Sequence, residues 1–221
     1  MRGQPAMTRG SLIALEGLDG VGKTTQARLV ALFLGNLGLS VILTREPTNG
    51  PVGQKIRRII AHGRQGLTPA AELDLFVADR REHVDNIIKP ALAEGKIVIT
   101  DRYYFSSLAY QGALGLDPRD ILRRHEDFAP PPDLVIILEL PLPEISRRLQ
   151  QRGLPTSFEK IDYLAKVAAI FEQLNAPCLV RVNGLGTASE VNSRILAILS
   201  QYFNLPQKPR RSANRIDLEV E

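Results

Sequence analysis

The sequence predicts an α/β fold in which helices cover both faces of a five-stranded parallel sheet. Short, nearly continuous apolar runs alternate with longer segments of helical period, which is the pattern of strand–helix–strand units. Runs of that kind suit strands that are buried on both faces. The 221 residues, 44% of them hydrophobic, are enough for one domain with its own core. We expect that domain over residues 11–204, between a flexible N-terminus (1–10) and a flexible C-terminal tail (205–221).

Five aliphatic and β-branched runs are predicted to form the strands. They span residues 11–16, 40–44, 96–100, 133–140 and 178–182. Parallel strands need crossover connections, which are right-handed in nearly all proteins, so the segments between the runs are expected to pack on the sheet. The first of these is a helix over residues 23–37 that stops at Gly38. The next helix carries the apolar set Val52, Ile56, Ile59 and Ile60.

Capping residues indicate where the other helices begin. A long third helix is predicted to start at the N-cap Thr68, with Pro69 in its first turn, and to end at Gly95. Two capping boxes mark the starts of the last two helices. These boxes are Thr156 with Glu159 and Thr187 with Glu190.

Composition and charge exclude several classes of protein. The single cysteine, Cys178, excludes an intramolecular disulfide framework and a cysteine-cluster metal site. The net charge is +4 with both signs interleaved, which argues against a dedicated nucleic-acid surface. No apolar run is long enough to span a membrane, and the first ten residues lack the apolar stretch of a signal peptide. We expect a cytoplasmic protein without nucleic-acid or membrane partners.

A phosphate-binding loop joins the first predicted strand to the first predicted helix. It fits the pattern G-x-x-x-x-G-K-[ST] at every fixed position. Its glycines let backbone N–H groups surround phosphate oxygens, and the helix N-terminus adds partial positive charge. Lys23 is expected to reach the β- and γ-phosphates, and the Thr24 hydroxyl to bind Mg²⁺. The residues predicted to hold ATP or GTP are Gly17, Leu18, Asp19, Gly20, Val21, Gly22, Lys23, Thr24 and Thr25.

This loop alone does not name a reaction, because the fold hosts kinases, GTPases and ATP-driven machines. The sequence lacks the guanine-reading N-K-x-D of GTPases. It also lacks the hydrophobic strand ending in Asp-Glu that motor ATPases usually carry. Both classes are therefore disfavoured.

Two charged residues follow the predicted strand 96–100, at the sheet edge where ligands bind in open α/β folds. Asp101 could hold Mg²⁺ through water, and Arg102 could bridge the donor and acceptor phosphates. The alternative for this pair is an ordinary surface ion pair.

The long third helix places a cation within its apolar stripe. Arg80 lies four residues after Phe76 and four before Val84. A guanidinium there needs a partner, which is either a buried carboxylate or a ligand. We favour a ligand whose ring lies against Phe76 while its edge accepts a hydrogen bond from Arg80. The stripe comprises Leu73, Phe76, Val77, Val84, Ile87, Ile88 and Ala91.

From Leu12 to about Tyr202 the sequence resembles the bacterial thymidylate kinases, which are P-loop nucleoside monophosphate kinases. The resemblance implies a three-layer P-loop NTPase fold with a short lid, a homodimer, and phosphoryl transfer from MgATP to dTMP in dTTP biosynthesis. The segments that carry it are EGLDGVGKTTQ (16–26), TREP (44–47), GQKIR (53–57), LFVADR (75–80) and DRYYFSSLAYQG (101–112).

The resemblance also implies a role for individual residues. Asp19 accepts the sugar 3′-hydroxyl, Pro47 packs near the sugar, and Tyr110 lies beside C2′. Phe76 stacks on thymine, Arg80 donates to the base carbonyl, and Ser107 and Gln111 read the adjacent edge. Arg57 and Arg102 hold the acceptor phosphate, and Lys23, Arg102 and Asp101 serve the transfer itself.

The lid, about residues 147–157, departs from the family pattern. Gly20 stands where some members insert an arginine in the phosphate loop, and Ser157 replaces the arginine of the common lid sequence Asp-Arg-Phe-Glu. Arg152 is our first choice for the transition-state contact, and Arg147 and Arg148 are the next candidates. Each of the three has the alternative of an ordinary surface residue on an amphipathic helix.

Two other functions remain open at this point. The altered lid is consistent with a catalytically weakened nucleotide-binding paralogue that has a regulatory role. The same motifs are also consistent with a kinase for another deoxynucleotide or for a deoxynucleoside.

Overall fold

The computed structural model describes residues 10–63, 66–153 and 158–203, with only the backbone for 158–160. The predicted tail, the end of the predicted lid (154–157, with Ser157), and the Thr156 residue of the predicted capping box lie outside the described residues. Of the predicted flexible N-terminus only Gly10 is described. It is buried, and its N–H donates to the carbonyl of Leu92.

Five parallel strands form one sheet in the order β2-β3-β1-β4-β5. Each predicted strand is confirmed, with ends that differ by at most one residue. The central strand β1 is buried at all six positions, as expected for a sheet covered on both faces. The strands are β1 (Ser11–Glu16), β2 (Val41–Arg45), β3 (Ile97–Asp101), β4 (Leu134–Glu139) and β5 (Leu179–Asn183).

Within the described ranges, eight α-helices lie between the strands and a ninth follows β5, and the three-layer α/β fold is confirmed. The capping box of Thr187 and Glu190 begins the last helix, as predicted. The helices are α1 (Lys23–Asn36), α2 (Pro51–His62), α3 (Pro69–His83), α4 (Lys89–Ala93), α5 (Tyr104–Tyr110), α6 (Pro118–Glu126), α7 (Leu142–Gln151), α8 (Phe158–Gln173) and α9 (Ala188–Tyr202).

The long third helix contains a π-helical turn that the sequence analysis did not predict. Its start is as predicted, since the Thr68 side chain accepts from the N–H of Ala71. Between α3 and α4 the residues Val84–Ile88 form a π-helix, and the N–H of Lys89 reaches back to the carbonyl of Val84. Pro90 has no N–H to donate, so the regular hydrogen-bond ladder is interrupted there and widens.

Helix α2 is less buried than its apolar stripe suggests. Of the four apolar residues only Ile56 is buried, and Ile60 is 65% exposed. The helix is seated instead through Gly53, which lies against the loop that follows β2. A Cβ at Gly53 would lie 2.0 Å from the Thr48 carbonyl oxygen and 2.7 Å from Asp79 Oδ1.

We expect Gly53→Ala to lower the free energy of unfolding by about 3 kcal/mol, because neither neighbouring backbone nor buried carboxylate can yield without cost. Urea unfolding followed by circular dichroism measures the change. Gly112→Ala is the control, since a Cβ there meets only Ile170 Cδ1, at 3.3 Å. The control should lose less than about 1 kcal/mol, and equal losses in both variants would contradict the assigned packing.

Candidate active site

The phosphate-binding loop leaves the end of β1 and returns as the first turn of α1. Three of its glycines have positive φ, with values of 128° at Gly17, 88° at Gly20 and 105° at Gly22. Other residues are strained in this region of φ, so the loop path requires glycine. Gly22 is also the N-cap of α1, and its carbonyl accepts the first helical hydrogen bond, from Gln26.

Lys23 holds this loop in shape. Its Nζ donates to the carbonyl oxygens of Gly17 (3.0 Å) and Leu18 (2.7 Å), and the side chain is buried. Burial, reinforced by the positive charge of Arg102, lowers the pKa of Lys23 to about 8. A phosphate anion at this position would favour the charged form and offer Nζ stronger acceptors than the two carbonyls.

Thr24 and Asp101 form the predicted magnesium pair. Thr24 at the start of α1 donates its hydroxyl hydrogen to Asp101 Oδ2 at the end of β3. The other carboxylate oxygen, Oδ1, is buried and has no hydrogen-bond partner in the described part of the chain. A hydroxyl and a carboxylate are the hard oxygen donors that Mg²⁺ prefers, and an unpaired buried oxygen is costly without a cation. The residues therefore fit this ion.

Arg102 connects the phosphate loop to α5. Its NH2 donates to Asp19 Oδ1 (2.7 Å) and to the Tyr110 hydroxyl (3.2 Å), and its NH1 donates to Ser106 Oγ (2.8 Å). Its φ is 78°, an uncommon left-handed conformation for a residue with a side chain. The Arg102 side chain is only 16% exposed. The ion-pair partner of Arg102 is Asp19, so the alternative of a surface ion pair between Asp101 and Arg102 is not realised.

The loop carboxylate Asp19 is held in its ionised form. Desolvation would raise its pKa, but the charges of Arg102 and Lys23 outweigh that effect and lower it to about 2. The Tyr110 hydroxyl lies 3.2 Å from Asp19 Oδ2. Three residues that the resemblance assigns to the sugar and the acceptor phosphate, Asp19, Arg102 and Tyr110, are thus in mutual contact.

Glu16 is a site residue to which the sequence analysis gave no role. Its Oε1 accepts from the backbone N–H groups of Tyr103 (2.8 Å) and Ser106 (3.1 Å), and its Oε2 accepts from Ser106 Oγ (2.6 Å). These bonds tie the first turn of α5 to the end of β1, and so place Arg102. Complete burial raises the pKa of Glu16 to about 7 although the hydrogen bonds favour its charged form.

The partner of Arg80 is the buried carboxylate of Glu46, at the end of β2. Arg80 Nε donates to Glu46 Oε2 (2.8 Å), and NH2 lies 2.6 Å from the same oxygen. Arg80 NH1 donates to Ser107 Oγ (3.1 Å) and to His125 Nε2. The carboxylate alternative for Arg80 is therefore realised in the structure, and binding of the base remains a proposal.

Two buried histidines complete this cluster. His83 lies one turn after Arg80 on α3, and its ring nitrogens contact Glu46 Oε1 (3.0 Å) and Thr44 Oγ1 (2.8 Å). His125 is on α6, and burial together with the charge of Arg80 lowers its pKa to about 4. Neither histidine has a periodic or motif signal in the sequence.

The remaining predicted acceptor residues lie around this cluster. Gln111 is buried and donates to Glu72 Oε1 (2.9 Å). Arg57 donates to the Pro47 carbonyl oxygen (2.6 Å) and to Asn49 Oδ1 (2.8 Å), so it is engaged with the loop after β2. Phe76 is half-buried and does not pack with the hydrophobic core. The other residues of its stripe either belong to that core or, in the case of Val77 and Ile87, are half-buried against it.

A cavity of about 680 Å³ opens beside Thr24 and Asp101 and extends between α1 and the π-helical segment. It lies at the carboxyl ends of β2 and β3, where open α/β sheets bind ligands.

The three lid arginines differ in their partners. Arg147 and Arg148 both donate to Glu144, so each has the ordinary helix-surface partner that was the alternative to a catalytic role. Arg152 is exposed and is the C-cap residue of α7.

The other residues predicted to hold the nucleotide differ in exposure. Leu18 and Val21 of the phosphate-binding loop are buried, whereas Thr25 is exposed at the start of α1.

Because of His125, we expect the free energy of unfolding to fall at acidic pH. Its pKa is about 4 in the folded protein and about 6.5 in an unfolded chain. The unfolded state therefore binds more protons between these values, and the stabilisation present above pH 6.5 is lost as the pH falls toward 4. Between pH 7.5 and 5 we expect a loss of about 2 kcal/mol from this residue.

Urea unfolding at the two pH values tests this expectation. The pH-dependent loss should shrink by that amount in His125→Gln. His62→Gln, which changes an exposed histidine of α2, should keep the wild-type dependence. An identical pH dependence in wild type and His125→Gln would show that the pKa of the buried imidazole is not lowered.

Comparison with known proteins places this site in a family. Residues 15–195 match the family described as thymidylate kinase. The chain is 46% identical over 198 residues to the thymidylate kinase of Desulfotalea psychrophila, covering 89% of this chain and 97% of that protein. It is 52% identical over 169 residues to the thymidylate kinase of Xanthomonas campestris pv. campestris, covering 76% of this chain and 73% of that protein.

The solved structures agree. The crystal structure of thymidylate kinase from Ehrlichia chaffeensis superposes with a TM-score of 0.70 at 28% identity, over 86% of this chain and 98% of that one. Within the described ranges, no helix is long and apolar enough to cross a membrane. The match to the family over most of the length, together with a phosphate loop joined through Arg102 to a second polar site, shows that the chain belongs to the thymidylate kinase family.

Proposed function

We propose that this protein transfers the γ-phosphoryl group of MgATP to dTMP and releases dTDP and ADP. The observation that carries the proposal is the position of Arg102. Its guanidinium bonds at once to Asp19 of the ATP loop and to Ser106 and Tyr110 of α5, on the acceptor side. One cation therefore spans the line along which a phosphoryl group would move.

The chemistry needs no covalent intermediate, because positioning and charge neutralisation supply most of phosphoryl-transfer catalysis. The acceptor phosphate is already an anion, so the barrier comes from bringing two anions together. Lys23 and Arg102 supply protein cations on either side of the transferred group. Thr24 and Asp101 would hold Mg²⁺, whose charge would offset that of the phosphate oxygens.

Lys23 must change partners during the reaction. In the structure it donates to two loop carbonyls. Its bonds to the β- and γ-phosphates of ATP replace these, which places its charge where negative charge develops on the leaving group. Arg152 remains our first choice for a further cation from the lid, since Arg147 and Arg148 are engaged by Glu144.

The acceptor is held by two groups of residues. The ring of Phe76 offers a half-exposed surface on which a pyrimidine stacks, and Arg80, Ser107 and Gln111 read its edge. The sugar and phosphate contacts fall to Asp19, Pro47, Arg57, Arg102 and Tyr110.

The proposal includes a homodimer in the cytoplasm. Helix α2 supports the dimer, since Ile60 is exposed and Val52 and Ile59 are only half-buried on its apolar side. Sedimentation equilibrium measures the mass of the assembly, and a monomer at all concentrations would contradict the dimer.

Incubation of the protein with MgATP and each nucleoside monophosphate tests the reaction. We expect dTMP to give the highest kcat/KM, with dUMP and dCMP lower, and no phosphorylation of thymidine. Formation of ADP is followed together with the nucleoside diphosphate, so that ATP hydrolysis is separated from transfer. Turnover of another monophosphate or of thymidine, but not of dTMP, would reject the proposal.

Lys23→Ala should reduce kcat by at least about 100-fold, the effect of losing one group that stabilises transition-state charge. Lys55→Ala is the matched control, because Lys55 is an exposed lysine of α2. Both variants are checked by circular dichroism before the assay. Normal turnover by folded Lys23→Ala would contradict the role given to the phosphate loop.

A further inference from the structure

The guanidinium of Arg80 is surrounded by protein groups on two sides. Its side chain is 1% exposed. Glu46 binds it along the Nε and NH2 edge, while Ser107 and His125 both accept from NH1. An arginine has five N–H donors. Four of them are used among the described contacts: the Nε hydrogen and one NH2 hydrogen by Glu46, and the two NH1 hydrogens by Ser107 and His125. The second hydrogen of NH2 is left.

His125 has its own fixed orientation. Its Nδ1 lies 2.7 Å from the carbonyl oxygen of Ile121, an acceptor, so Nδ1 carries the proton. Arg80 can only donate, so Nε2, which contacts its NH1, carries a lone pair and the imidazole is neutral. Its ring packs between Tyr104 and Phe128, with centroid separations of 6.0 and 5.9 Å, and the residue is 2% exposed.

The two contacts constrain different ends of the guanidinium. Glu46 alone, through a single oxygen, would leave the plane free to rotate about that oxygen. His125 from α6 and Ser107 from α5 fix the opposite nitrogen, so the plane has one orientation. The hydrogen left on NH2 can then only meet an acceptor, because a guanidinium has no lone pair to offer.

We propose that His125 is a positioning residue of the base site, which orients Arg80 so that the site takes a pyrimidine with a carbonyl at its reading edge and rejects one with an amino group. This inference rests on the proposed dTMP kinase activity. Among the described residues, the hydrogen-bond and ring partners of His125 are Arg80, Ile121, Tyr104 and Phe128, so we expect it to act through Arg80.

Three variants separate positioning from a general structural role. His125→Phe keeps a ring against Tyr104 and Phe128 but removes the acceptor. His125→Gln offers an amide oxygen as a replacement acceptor. His62→Phe changes an exposed histidine of α2 and is the control. Steady-state kinetics give kcat, KM for dTMP, KM for ATP, and the ratio of kcat/KM for dTMP over dCMP.

We expect His125→Phe to raise KM for dTMP about tenfold, the usual effect of losing a charged hydrogen bond, and to lower the dTMP to dCMP ratio similarly. Its kcat and its KM for ATP should stay within about threefold of wild type, and His125→Gln should recover most of the loss. An unchanged KM and ratio in His125→Phe would overturn the inference. So would equal losses in kcat and both KM values in the two His125 variants.

A measurement on the unmodified protein tests the inference even if a His125 variant fails to fold. The chain has three histidines, so ¹⁵N spectra at pH 7.5 can be assigned with single substitutions. The expected state of His125 is neutral with the proton on Nδ1, and a cation or an Nε2-protonated ring would overturn the inference. Wild-type turnover of dTMP is measured first, so loss of the proposed function is distinguished from failure of this positioning role.

Discussion

A buried ion pair persists only when its remaining donors and acceptors are also satisfied, and the acceptor half of this protein is organised around one such pair, Glu46 with Arg80. The carboxylate follows β2, and the guanidinium lies on α3, which are joined to α5 and α6 through Ser107 and His125. His83 adds a bond to Glu46 and another to Thr44 of β2. The same network that holds these elements together therefore positions the residues that we propose to read the base.

A second concentration of charge lies at the carboxyl ends of β1 and β3. Three carboxylates, Glu16, Asp19 and Asp101, face the cations Lys23 and Arg102, so the excess of negative charge is small before any nucleotide binds. Most of these groups are engaged with the protein itself, as the two loop carbonyls on Lys23 show. Under the proposed function, nucleotide binding exchanges the partners of charges that are already in place, and a preorganised site of this kind avoids the cost of reorganisation during the reaction.

The parts of the fold that the sequence predicts are those encoded locally. The five strands follow from apolar runs, and the helices that begin at Thr68 and Thr187 follow from capping chemistry read within four residues. Other features depend on contacts between distant residues. Glu46 is 34 residues from Arg80, and Glu16 is 90 from Ser106, so no period or cap connects them. The π-helical turn is an intermediate case, since Pro90 signals a broken ladder but not whether the helix kinks or widens.

Arg80 shows why a protein partner for a buried cation does not exclude a ligand. Removing one member of a buried pair costs about 3–5 kcal/mol, so a guanidinium held only by substrate would leave the empty protein with an unpaired charge. Glu46 meets that requirement through one edge of the group. Because arginine has five donors where lysine has three on one atom, the opposite edge can be fixed by neutral acceptors and a hydrogen still remains. Arginine at this position can therefore be paired for folding and still offer a donor to the proposed ligand, whereas a lysine on the same stripe of α3 lacks the second edge that this requires.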